Sequence, residues 1–307
     1  MSVRFSRRSA LKGLGALGLG AALPVSAAAA APVRRDHHTI SADTFSVGDA
    51  VVTVIRDTSF ALPLSAVGTN VDAARVVATL AEYGLPTDRV PTDVSQLVID
   101  HGGVRTLVDT GTGQGALVST MEALGMAPAS VDRVVVSHFH GDHIGGVSTD
   151  GAATFPTASV HFPAAELAFL ESAPAGNENV ENALAKLAPV RDRLQTYGAG
   201  EEVVPGLTAV AAHGHTPGHM AFELASAGAR LLIVSDAVAH PVVFFRHPTW
   251  LFGFDMNGPQ TVATRRRLLA RAAREGIPLF ASHMPFPGVG RVSVDGVGFR
   301  FTPVPMM

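Results

Sequence analysis

Short apolar runs alternate with polar or glycine-rich breaks over most of the chain. In residues 45–55, β-branched residues flank a Gly48-Asp49 turn, which predicts a hairpin. Strands are expected at 96–100 and 104–109, on either side of His101-Gly102-Gly103, followed by a helix from 111 to about 124. Residues 131–137 are almost continuously apolar, as suits a strand covered on both faces. The runs at 231–235 and 277–282 have the same character, whereas 163–172, 180–194 and 259–275 carry helical periodicity. Interleaved strands and helices with no linker-like stretch after Asp43 predict a single α/β domain over 44–307. A polar lead-in with little structure is expected over 31–43. In the last helix Arg265, Arg266, Arg267, Arg271 and Arg274 read as a solvated face opposite Val262, Leu268, Leu269 and Ala272.

Three of these apolar runs stop on side chains that bind metals. The first runs into His138-Phe139-His140-Gly141-Asp142-His143, the second into Asp236 and the third into His283. The C-terminal ends of strands are where open α/β sheets place their sites. In an extended His138-Phe139-His140 both imidazoles point the same way, and Gly141 lets the chain turn to bring Asp142 and His143 beside them. Neutral imidazoles with carboxylates suit a borderline cation such as zinc. The chain has 13 histidines and no cysteine, so thiolate ligands and disulfides are excluded.

Further motifs narrow the reading. Ala212-His213-Gly214-His215-Thr216-Pro217-Gly218-His219, Ser282-His283-Met284-Pro285-Phe286-Pro287-Gly288-Val289-Gly290 and Gly298-Phe299-Arg300-Phe301 join the cluster above. Together they resemble the metallo-β-lactamase superfamily, and within it methyl parathion hydrolase and its lactonase-like relatives. The resemblance implies an αββα sandwich with a dinuclear site on one edge. It implies that His138, His140 and His219 hold a first ion, that Asp142, His143 and His283 hold a second, and that Asp236 bridges them. The ions are expected to be Zn2+, with Mn2+, Co2+ or Fe2+ as alternatives. Asp109, in Val108-Asp109-Thr110-Gly111, resembles the strand-end Asp that orients a ligand imidazole; the alternative role is a helix cap. His213 and His215 are expected to pack turns or support ligands.

Two such cations would activate water directly, with Asp142 as candidate proton acceptor and no Ser or Cys nucleophile. The expected reaction is hydrolysis of an ester, lactone or phosphotriester. The aromatic segment 242–254, with Phe244, Phe245, Trp250 and Phe252, is expected to overhang the metals and bind a neutral hydrophobic substrate. Among relatives, zinc β-lactamases lack an Asp equivalent to Asp236, and glyoxalase II thioesterases add a helical domain after the equivalent of His283. Acyl homoserine lactonases place a Tyr by the substrate, a role matched by neither Tyr83 nor Tyr197. A non-catalytic periplasmic zinc-binding protein is the alternative of another class.

Charge and the N-terminus place the protein. Residues 1–30 hold Arg4, Arg7, Arg8 and Lys12 and no acid, leaving the remainder at −7, a poor partner for nucleic acid. The basic start, the apolar stretch 13–25 and the run of alanines at 27–31 predict an export signal over 1–30, too short to span a bilayer. Ser6-Arg7-Arg8-Ser9-Ala10-Leu11-Lys12 resembles a twin-arginine signal with Ala10 where Phe is usual. A periplasmic or secreted protein is expected, without a membrane anchor once the signal is removed. A homodimer stays open beside the monomer.

Overall fold

The computed structural model describes residues 35–38 and 41–304; the export signal read from residues 1–30 lies outside them. The chain divides into two sheets laid down almost in sequence order. Arg35–His38, Ala42–Val47, Ala50–Pro63, Arg89–His101, Val104–Val108, Arg133–Val135, Ser159–Pro163 and Leu194–Tyr197 form the first. Glu202–Val204, Leu207–Ala211, Met220–Ser226, Ala229–Ile233, Leu279–Phe280, Val289–Asp295 and Gly298–Pro303 form the second.

Strand alternation turns the two sheets into four layers. Val135, Leu97, Ile99, Leu231, Ile233, Phe222 and Phe280 point between the sheets. Their neighbours Val134 and Val136 face the opposite way, packing with Leu117, Met121, Leu170 and Leu187 of the helices outside the first sheet. Leu232 and Val234 likewise pack outward with Leu268, Leu269 and Ala272 of the Gly258–Glu275 helix. The result is the expected αββα sandwich in one domain, with a continuous apolar core on both faces of each sheet.

Several expectations shift. The hairpin turns at Gly48-Asp49, but its second strand continues to Pro63, well past the edge of its partner. Arg35–His38 pairs with Ala42–Val47, so the lead-in contributes an edge strand. Only Leu117–Ala123 of the expected 111–124 helix is helical; Thr112 N–H, Thr112 Oγ1 and Leu117 N–H instead wrap the Asp57 carboxylate. Arg265 is not on a solvated face. It is fully buried over the Phe244 ring, donates to the carbonyls of Ala237, Pro248 and Trp250, and lies 3.5 Å from Asp255 Oδ2. Arg266, Arg267 and Arg274 are exposed as expected.

Candidate metal centre and adjoining cavity

The first sheet supplies half of the centre. Arg133–Val135 leads through Val136 and Ser137 to His138, while Phe139 turns into the core against Phe169. His138 and His140 therefore face the same side, with ring centroids 4.8 Å apart. After His140 the chain enters the one-turn Gly141–Ile144 helix, which carries Asp142 and His143. Gly145 and Gly146 then run so close to the backbone of Thr110 and Thr112 that a Cβ at either would clash with a carbonyl. That approach brings His143 against Asp109.

The second sheet supplies the rest. Asp236 sits in the short 3-10 turn Ser235–Ala237 after Ala229–Ile233, His219 immediately precedes Met220–Ser226, and His283 follows Leu279–Phe280. His138, His140, His215 and Asp236 offer ligand atoms within 4.8 Å of one another, and so do Asp142, His143 and His283. Asp236 lies between the two groups: its Oδ1 is 3.1 Å from His143 Nε2, and its Oδ2 is 3.1 Å from His283 Nε2 and 3.2 Å from His215 Nε2. His219 is buried with its ring 5.0 Å from that of His138. The seven residues expected as ligands are thus brought together, and His215, expected only to support them, stands among them.

The imidazoles are held from behind. Nδ1 of His143 pairs with Asp109 Oδ2 at 2.8 Å, Nδ1 of His215 with Asp255 Oδ1 at 3.1 Å, and Nδ1 of His138 with Ser137 Oγ at 3.0 Å. Nδ1 of His219 and His283 donate to the carbonyls of Ala212 and Asp93, each at 3.0 Å. These contacts fix the rings and turn Nε2 toward the cluster. His140 is reversed, presenting Nδ1. Asp109 does not cap a helix: it also accepts from Ser137 N–H and Oγ, from a backbone at φ 61°. Ser235, at φ 44°, reaches Ser137 Oγ and Asp236 Oδ1, tying the strand ends of both sheets together. Ser137, Ser235 and Asp255 are functional supports that no sequence signal singled out.

Electrostatics separate these rings into two sets. Burial, reinforced by neighbouring imidazoles, holds His138 well below its ordinary range and lowers His140 and His219 to about 3. The same burial opposes protonation of the others, but carboxylates overcome it. Asp236, Asp142 and Asp109 raise His143, Asp236 and Asp142 raise His283 to about 10, and Asp236 and Asp255 raise His215 to about 9. Asp236 and Asp142 are in turn held low by these imidazoles, against the burial that would raise them. The buried Asp236 and the partly exposed Asp142 thus draw positive charge into a nest of neutral lone pairs. Nε2 of His138 and of His219 is buried with no hydrogen-bond partner. Orphaned imidazole nitrogens converging beside carboxylates fit a divalent cation, and no thiolate competes.

A cavity of about 260 Å³ opens over the cluster. His140, Asp142, His215, Asp236 and His283 line one end, and Phe60, Leu62, Phe252 and Phe254 the other, with Thr92 and Asn179 as polar neighbours. Of the four aromatic residues expected in the pocket, only Phe252 lines it. Phe244 and Phe245 lie on the buried side of the Val243–Arg246 helix, and Trp250 is buried in a stack on His247 with centroids 3.9 Å apart. Phe60 and Phe254 were missed. Phe60 reaches the cavity because the Ala50–Pro63 strand and its partner Arg89–His101 extend together past Ala42–Val47 and Val104–Val108, and Phe254 follows Phe252 on the same loop at alternating spacing.

Comparison with known proteins agrees with this geometry. N-acyl homoserine lactonase AttM of Azorhizobium caulinodans is 31% identical over 178 residues, covering 55% of this chain and 64% of that protein. Atrochrysone carboxyl ACP thioesterase of Passalora fulva is 30% identical over 148 residues, covering 46% of this chain and 37% of that protein. The chain therefore spans less than two thirds of the length of either. Among solved structures, the dizinc quorum-quenching lactonase AidC superposes with a TM-score of 0.83 at 24% identity, covering 87% of this chain and 98% of that one. The hydrolase AbOPH superposes with a TM-score of 0.80 at 26% identity, covering 87% and 99%. The model of the metallo-beta-lactamase superfamily matches residues 89–283, more than half of the chain and all the strand-end residues described above, and the chain belongs to that superfamily.

Proposed function

We propose that the protein is a metal-dependent hydrolase of lactones and related esters bearing a neutral apolar group, with aryl phosphotriesters as a secondary class. The observation that carries this reading is the cavity itself, which sets a cluster of imidazoles and carboxylates against a wall of Phe60, Leu62, Phe252 and Phe254. By the family resemblance His138, His140 and His219 would hold one cation and Asp142, His143 and His283 a second, with Asp236 shared; in the structure His215 joins His138, His140 and Asp236 within ligand reach, and His219 stands beside His138. Two divalent ions there, Zn2+ before Mn2+, Co2+ or Fe2+, supply Lewis acidity and lower the pKa of water toward neutrality.

The chain's own residues then divide the work. The apolar wall binds the acyl or aryl group and excludes water from that end, so the scissile group is left facing the polar end. Asp142 is the one carboxylate of the cluster with appreciable exposure, 26% of its side chain. It lines the cavity, and its carboxylate is the acceptor for the proton lost by the attacking water. Asp109, Asp255 and Ser137 keep the imidazoles aimed and need not touch substrate. An acyl homoserine lactonase and a thioesterase among the relatives favour acyl transfer to water.

The deciding experiment assays metal-reconstituted protein on an N-acyl lactone, an aryl ester, an aryl phosphotriester, an acyl thioester and a β-lactam, with metal content measured alongside. Lactone or aryl ester turnover that depends on the metal is the expected outcome. Preference for the thioester would favour a glyoxalase II-like reaction. Two bound ions with no turnover on any substrate would indicate a zinc-binding protein. The same reading has the chain exported by the twin-arginine route; loss of export on replacing Arg7 and Arg8 with Lys tests that part.

A further inference from the structure

We propose that Glu166 is a positioning residue that clasps the two ligand-bearing loops together and thereby sets the cation affinity of the centre. The proposal rests on the metal-binding part of the reading above. Glu166 lies in the first turn of the Ala164–Ser172 helix, is fully buried, and has no ion-pair partner among the described residues. Its Oε2 accepts the backbone N–H of Phe139 at 3.1 Å, between His138 and His140. Its Oε1 accepts the backbone N–H of Gly218, the residue before His219. One carboxylate therefore holds a loop from each sheet.

A second observation points the same way. A Cβ on Gly218 would collide with the backbone of Ala165 and Glu166, so the Thr216-Pro217-Gly218-His219 turn is packed directly against the start of this helix. Burying a carboxylate away from water is costly unless the hydrogen bonds it gains are worth more. Here both go to amides that flank imidazole ligands. A helix face could be completed by an apolar side chain at this position, but no apolar group could fix the distance from His138 and His140 to His219.

Glu166→Gln keeps the volume but turns an amide N–H2 toward one of the two backbone donors, so one strap is lost. Zn2+ affinity of the metal-free protein, read by chelator competition, is expected to weaken about 10- to 100-fold, the range for residues that orient ligands, while a cooperative melt reports that the chain still folds. Glu166→Asp keeps the charge but is a methylene too short to reach both amides, and is expected to weaken affinity likewise. It also serves if Glu166→Gln does not fold. Unchanged affinity in a folded variant, or full affinity restored by Asp, would overturn the clasp. Wild-type protein that takes up Zn2+ but hydrolyses nothing, with weakened uptake in the variants, would sink the hydrolase reading and support the clasp. A wild type that takes up no Zn2+ would overturn both.

Discussion

At the polar end of the cavity, five imidazoles are each anchored through Nδ1, Asp236 is buried among them, and two of the supporting residues sit at positive φ. At the apolar end, Phe60 is 40% and Phe254 50% exposed, one on a two-stranded extension of its sheet and the other on a loop. The polar end spends backbone strain and buried hydrogen bonds to fix atoms to a fraction of an ångström, which charge stabilisation at a reacting bond requires. The apolar end offers area with little orientation, which is enough to bind a greasy substituent. On the proposed function, rate and selectivity would fall to different parts of the chain, and substitutions at each end should separate them.

The largest effect is expected from Asp236→Ala. Its two oxygens contact His143, His215 and His283, so its loss removes the one carboxylate common to both ligand groups. Activity should fall by more than the roughly 100-fold upper range for supporting residues, with at least one of two ions lost. An active variant that retains two ions by metal analysis would refute the shared role.

Trp250→Ala tests where the aromatic segment belongs. Trp250 is buried against His247, with the Arg75 guanidinium 5.6 Å from its ring. Truncation should cost about 3–5 kcal/mol of stability and leave the kinetics of the folded enzyme unchanged. A raised KM for bulky substrates at unchanged stability would return Trp250 to the pocket. Asp109→Asn comes next: an amide would face the Ser137 hydroxyl and His143 Nδ1 that Asp109 Oδ2 now accepts. Metal affinity or turnover should drop about 10- to 100-fold with the fold intact, measured by chelator competition and steady-state kinetics.

The contrast between the two ends also explains what was legible in the sequence. The centre was readable because His138 to His143 are contiguous and strand periodicity alone aims them, while Asp236 and His283 each close an apolar run. The layers were readable because neighbouring residues such as Val134 and Val135 pack on opposite faces. The apolar wall was not. Phe60 depends on how far a pair of strands extends past its neighbours in the sheet, which pairing decides, and an aromatic run such as 242–254 has the same composition whether it fills a core or lines a cavity. Glu166 and Arg265 were hidden for the opposite reason. A charged residue in an amphipathic helix looks solvated until the surface packed against it is known, and in both cases the partner lies far away in sequence.

The smallest effect should come from the wall itself. Phe60 and Phe254 belong to separate segments and are partly exposed, so truncating either leaves the core untouched and removes only part of the surface a substrate can cover. Phe60→Ala and Phe254→Ala should each raise KM roughly 3- to 10-fold for a long-chain acyl lactone, the equivalent of about 1 kcal/mol of apolar contact. For a short-chain lactone the change should be near zero. Because the wall grips ground state and transition state alike, kcat should hold for both substrates. The ratio of kcat/KM between long and short chains is the measurement that isolates the wall, since any disturbance of the metal end would lower both together. A fall in kcat shared by both chain lengths would mean that Phe60 or Phe254 positions the reacting group, and the division between a rigid reacting end and a permissive binding end would not hold.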